Sequence, residues 1–275
     1  MNLDVLWRFV GGHRMVSAAA KTRKIDERFL AHFQGAVTMR PGLSRRTFLA
    51  GVASTTGAAA LSASNAVAAE GGEKLKIVGV TCSPRKGKTT ATAMAVCLEA
   101  ANGIAADTIE TELIELAGLS IPGQLAAGEP LRPGEVDDFP KVAPRLSAAE
   151  VTGIIIGTPV YFGNMSYLCK AFLDRWIGFR KDDFALANKV AGVLAVGGSR
   201  NGGQELTIQS VQAALMSHQM IVVGDGRPTA HLGATVWSGG FDDVTDDEAG
   251  MATARNLGKR VAAMALKLHG QGEFP

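Results

Sequence analysis

Apolar positions divide the chain near residue 70. Beyond that point short continuous apolar runs alternate with longer amphipathic ones, the pattern of buried strands and the helices that cover them. Strands are predicted over 75–80, 108–116, 153–157, 190–196 and 220–223. The second of these alternates apolar and polar residues, as a strand near a sheet edge does. Helices are predicted over 91–101, 167–177, 205–217 and 246–268, with a weaker one over 135–146 broken by Pro140 and Pro144. The last helix starts acidic and carries Lys259, Arg260 and Lys267 towards its end, matching the helix dipole. The stretch 117–133, with Pro122, Gly123, Gly128 and Pro130, reads as a surface loop, as does the long segment holding Trp237, Gly239 and Gly240. Alternation at this spacing predicts one doubly wound α/β domain, a five-stranded parallel sheet with helices on both faces. Ligands of such sheets lie beyond the carboxyl ends of the strands. The loops 81–90, 158–166 and 197–204 leave those ends, and all three are rich in glycine and polar groups.

The first seventy residues do not share this pattern. Ser44-Arg45-Arg46-Thr47-Phe48-Leu49 precedes a weakly apolar stretch, 50–63, and Ala66-Val67-Ala68 closes it. A basic segment, an apolar segment and small residues in that order predict a signal peptide, and the paired arginines give it the twin-arginine form. The expected organisation is a leader or misassigned start over 1–38, a signal over 39–69 cleaved after Ala68, and a mature domain over 70–275. Export to the periplasm or another extracytoplasmic space follows from it. The apolar stretch is diluted with Gly, Ser and Thr, so no stable membrane insertion is expected. A net charge of +2 and a pI near 8.5 are too balanced for a nucleic-acid or membrane-surface binder. Cys82, Cys97 and Cys169 are odd in number and lack ligand spacing, so neither a zinc motif nor a disulfide framework is predicted. Cys82 is expected to be a small packed residue rather than a reactive thiol.

The chemistry concentrates in the three loops. Ser83, Arg85, Lys86, Lys88, Thr89 and Thr90 surround Gly87 where the first strand turns into a helix. The unpaired N–H groups and positive dipole of a helix N-terminus, joined by hydroxyls and cations, form an anion cradle. In the second loop Pro159 and Gly163 fix a turn, Tyr161 and Phe162 offer planar surfaces with a polar handle on the tyrosine, and Val160 and Asn164 complete the stretch expected to line a ring. These aromatics either face a flat ring or plug the top of the core. In the third, Gly197, Gly198, Arg200 and Gly203 sit in a glycine-rich run that lets backbone approach a ligand, unless it is a plain flexible connection. Together a phosphate cradle and two ring-approaching loops suit a mononucleotide with a flat ring. No side chain stands out as a general acid or base; His218 and His231 read as structural, although His231 lies in a loop on the side of the site.

These motifs resemble the NADPH-dependent FMN reductases and iron–sulfur flavoproteins. Residues 82–90 are similar to that family's FMN-phosphate loop, 158–166 to its ring-binding loop, and 197–205 and 246–260 follow in the same order. The resemblance spans 74–270 and implies a flavodoxin-like fold, bound FMN, NAD(P)H as donor, a small-molecule acceptor such as a quinone or flavin, and a homodimer or tetramer. Iron–sulfur members carry a cysteine cluster after the second strand; residues 121–128 here contain no cysteine, so no iron–sulfur cluster is expected. Lys88 and Thr89 also stand where Gly and Asn are usual. An exported chain meets little free nicotinamide, which makes a redox partner protein an alternative donor. Two rivals are weighed against this reading. Gly87-Lys88-Thr89 ends like a nucleotide triphosphate P-loop, but Cys82 stands where its first glycine belongs and Pro84 removes a donor. A flavodoxin-type electron carrier is usually strongly acidic, unlike this chain.

Overall fold

The computed structural model describes residues 74–269, so the predicted leader and signal peptide lie outside the described residues. The three predicted central strands are present as β1 (Leu75–Thr81), β3 (Val151–Tyr161) and β5 (Val190–Gly197). They pair in parallel with one another, and β2 (Ile109–Glu115) flanks β1. Every residue of β5 is buried, as a strand covered on both faces requires. Along these strands neighbours point to opposite faces. Val78, Ile154, Ile156 and Val193 enter one core cluster, and Ile77, Ile155 and Leu194 enter the other.

Helices cover both faces. α1 (Thr89–Asn102) and α7 (Glu248–Leu268) pack on the side of Ile77 and Ile155. The other face receives α4 (Tyr167–Asp174), α5 (Ile177–Lys181) and α6 (Gln204–Met216), with an aromatic group of Phe139, Phe172, Trp176 and Phe179 in edge-on contact. α1 and α7 touch backbone to backbone. A Cβ on Gly258 would lie 1.9 Å from the Cys97 carbonyl oxygen, so only glycine permits this crossing.

Several boundaries differ from those predicted. The 135–146 helix is two single turns, α2 (Phe139–Val142) and α3 (Pro144–Ser147), because each proline starts a new turn and cannot continue the preceding one. The predicted 167–177 helix breaks into α4 and α5. β3 runs four residues past its predicted end at 157 and folds back through Phe162 and Gly163 onto a short antiparallel strand, β4 (Asn164–Met165). The second ligand loop is thus the tip of a β-hairpin. The fifth strand is split: β6 (Ile221–Val222) pairs with the start of β5, and β7 (Ala234–Trp237), predicted as loop, pairs in parallel with its end. The parallel core is therefore β2-β1-β3-β5-β6, with β7 continuing the outer position and β4 attached to β3.

Candidate functional site

The order of the core reverses direction between β1 and β3, and the loops leaving their carboxyl ends meet there. Buried Ser166 ties them together. Its Oγ donates to the Cys82 carbonyl at 2.6 Å and accepts from the Cys169 N–H at 3.0 Å, capping α4, while its N–H donates to Thr158 Oγ1 at 3.1 Å. Cys82 is fully buried beneath the cradle, and burial followed by the Cys169 contact pushes its thiol well up, as expected of a packed residue.

In the cradle Ser83 Oγ accepts from the Arg85 N–H at 3.1 Å and shapes the turn. Thr89 and Thr90 are buried in the first turn of a helix with no side-chain cap, where the leading backbone N–H groups have no partner within the helix. The cations already hold carboxylates. Asp242, from the loop between β7 and α7, pairs with the Arg85 guanidinium and with Lys88 Nζ at 3.1 Å. Lys88 first, then Arg85, holds the Asp242 carboxyl below its usual range. The Gly87 N–H donates to Glu115 Oε2 at 2.8 Å. Three donors of the predicted phosphate site thus bind anionic oxygens supplied by two different segments.

Beside the cradle, Pro159 and Val160 lie on β3 and the hairpin tip carries Tyr161, 42% exposed, and Phe162, fully exposed in the left-handed region at φ 52°. These aromatics do not plug the core. Asn164 Oδ1 accepts from Ser210 Oγ at 3.1 Å and from the Met165 N–H at 2.8 Å, which fixes the hairpin against α6. Gly203, at φ 102°, would place a Cβ 2.8 Å from Gly163 Cα, so the second and third loops meet backbone to backbone. A Cβ built on Gly87 or Gly198 meets nothing within 4 Å, so the cradle and the third loop border open space.

A fourth segment, β7 with the loop after it, belongs to the site and was missed by the sequence reading. Trp237 Nε1 donates to the Gly198 carbonyl at 3.1 Å and Ser238 N donates to the Gly197 carbonyl at 2.9 Å. Arg200 lies over the Trp237 ring, 5.1 Å from its centroid, and pairs with buried Asp247 at 2.7 Å, so its charge is already partnered. Asp247 also caps α7 by accepting from the Gly250 N–H at 3.0 Å. Nothing in a four-residue apolar run between glycines announced this strand. The acidic start of the last helix was the one available signal, and it marked Asp247 only as a dipole partner.

Residues 75–235 match the NADPH-dependent FMN reductase family. The chain belongs to that family. This FMN reductase homologue is 43% identical over 192 residues to an iron–sulfur flavoprotein of Methanocaldococcus jannaschii, covering 68% of this chain and 96% of that protein. An iron–sulfur flavoprotein of Methanosarcina thermophila is 38% identical over 189 residues, 68% of this chain and 93% of the relative. Among solved structures, an oxidoreductase from Corynebacterium diphtheriae superposes with a TM-score of 0.51 at 18% identity, covering 71% of this chain and 99% of the other. An NADH:FMN oxidoreductase in its apo form superposes at 0.50 and 23%, covering 70% and 90%. These two share the flavodoxin-like fold. The donors fit an FMN: N–H groups and cations that attract anionic oxygens, exposed aromatics beside them, and open space along the glycines. Among the described residues no group of three or more His, Cys, Asp or Glu could hold a metal ion.

Proposed function

We propose that the chain is an exported FMN-dependent oxidoreductase that passes electrons from NAD(P)H or a redox partner protein to a quinone, a flavin or a similar small acceptor. One observation carries it. The phosphate loop, the hairpin tip and the glycine-rich loop converge at one sheet edge in a chain of the FMN reductase family, and the phosphate loop already gathers carboxylates. Bound FMN would supply the redox chemistry, accepting and releasing electrons. The chain's own residues orient and anchor. Arg85, Lys88 and the first N–H groups of α1, with Gly87, would hold the phosphate; Pro159 to Asn164 would line the ring; Gly197, Gly198 and Gly203 would approach its other edge. The relatives are named iron–sulfur flavoproteins, but the segment after β2 offers no cysteine here, so the reading is FMN alone. Twin-arginine export and a homodimer or tetramer belong to the same proposal.

The test is an absorbance spectrum of the purified chain followed by anaerobic NADPH. A flavin spectrum that bleaches supports the reductase, and one that does not respond assigns the electrons to a partner protein. Arg85→Ala with Lys88→Ala should lower FMN retention at least tenfold, since charge-assisted bonds to phosphate contribute about 1.5–3 kcal/mol each. A wild-type chain that takes up no added FMN would overturn the reading.

A further inference from the structure

A cleft of about 450 Å³ opens beside the glycine-rich loop, on the side of the split fifth strand. Arg200 and Gly203 form one wall, Leu206 of α6 and Trp237 of β7 line it, and His231 closes it. Its volume matches a small-molecule site. His231 belongs to the 223–233 segment that splits the fifth strand, and its side chain is 43% exposed towards solvent. Behind it stands Asp225, whose carboxylate is completely buried. A buried carboxylate needs partners. Asp225 Oδ1 accepts from the His231 backbone N–H, and Oδ2 accepts from Thr229 Oγ1, which in turn accepts from Asn256 Nδ2 at 2.9 Å. His231 Nδ1 lies 3.3 Å from Asp225 Oδ2. With a carboxylate as the acceptor, Nδ1 carries the hydrogen. Nε2, with no hydrogen bond among the described residues, is the nitrogen left for the cleft.

We propose that the cleft is the acceptor subsite and that His231, positioned by Asp225, is its proton-transfer group. The proposal rests on the flavin oxidoreductase reading for its source of electrons. A planar quinone suits the walls: the Trp237 indole offers a flat apolar surface, held in place by the Arg200 guanidinium, which lies over its ring and pairs with Asp247. Bound FMN would supply two electrons and one hydrogen to a quinone held in the cleft, leaving one negative charge on a quinone oxygen. The proton that neutralises it comes from Nε2–H of the His231 imidazolium, giving a hydroquinone and a neutral imidazole. Solvent then returns the proton to His231. The buried Asp225 carboxylate fixes the ring and its Nδ1–H, leaving Nε2 turned to the cleft. The other charges around the imidazole are Arg200 and Glu205 across the cleft, Arg227 in its own loop, and Arg260 of α7, which packs against Gly226.

The first test needs no flavin. Quenching of Trp237 fluorescence by menadione is titrated on flavin-free chain, with Trp237→Phe identifying the signal. Menadione is expected to bind, and His231→Gln to bind it about tenfold more weakly at acidic pH, with the gap closing as pH rises. The second test is single-turnover reoxidation of the reduced, FMN-loaded chain by menadione. The wild-type rate should fall as pH rises. His231→Asn can keep the bond to Asp225 and hence the loop, yet should be about a hundredfold slower and flat with pH, within the usual contribution of a general acid. Asp225→Asn should move the inflection of that profile, which a merely structural residue would not do. Wild-type menadione binding and an unaltered pH profile in both His231 variants would overturn the proposal. A chain that takes up no FMN but still shows His231-dependent quenching would remove the flavin reading and still support the cleft.

Discussion

Asp242 engages both cations of the phosphate loop at once. These are exposed pairs screened by water, far weaker than the attraction of a doubly charged phosphate for the same groups. Asp242 therefore acts as a weak internal competitor that a phosphate must displace. Asp242→Asn should bind FMN about three- to tenfold more tightly, read by quenching of flavin fluorescence on titration, and the gain should shrink as salt screens the wild-type pairs. Weaker binding would instead make Asp242 a support that holds Arg85 and Lys88 in place. The sequence made the cradle legible because its cations and hydroxyls are contiguous. It could not reveal Asp242, more than 150 residues away on a loop whose position depends on an unpredicted strand.

Among elements, the crossing of α1 and α7 is the least forgiving contact. A methyl group at Gly258 would collide with the Cys97 carbonyl, a backbone atom that cannot turn aside. Gly258→Ala is expected to destabilise the chain by about 2–3 kcal/mol, the range of overpacking in a tight interface. The urea midpoint measures it. Gly178→Ala in α5, where a Cβ meets nothing within 4 Å, is the comparison and should be neutral or slightly stabilising. The elements that could be read from sequence were those with long apolar runs or clear helical period: β1, β3, β5, α1, α6 and α7. What was misread is the far end of β3 and the short β7. β3 was ended at 157 because Thr158-Pro159 resembles a turn, yet a proline without an N–H is tolerated near the end of a strand. β7 is four residues long and pairs only because β6 leaves half of the β5 edge uncovered. Both misreadings fall at the carboxyl edge of the sheet, so the site was legible as three loops, whereas its hairpin and fourth wall were not.

At the scale of the whole molecule, acid sensitivity is set in part by His218. It is buried against Trp176, 5.4 Å between ring centroids, and its Nδ1 has no partner. Burial, then the charge of Arg180, lowers its proton affinity below the ordinary value near 6.5. The unfolded chain therefore takes up this proton at a higher pH than the folded one. The contribution is fully present above the ordinary value and is lost as pH falls through it towards the folded value. The melting temperature should drop between about pH 7 and pH 5, and drop less in His218→Gln.

The divided fifth strand has a consequence for how copies of the molecule can meet. A sheet edge with free N–H and C=O groups is a template on which another strand can add. Here that edge is two short pieces, and the N–H groups of Thr235 and Trp237 are taken by Thr253 Oγ1 and Asp247 Oδ2. The opposite edge, β2, carries Glu110, Glu112 and Glu115, which would face like charges on an identical strand. Neither border of the sheet can be extended by a second copy without losing those bonds or opposing those charges. The borders of the sheet thus guard against open-ended stacking of strands.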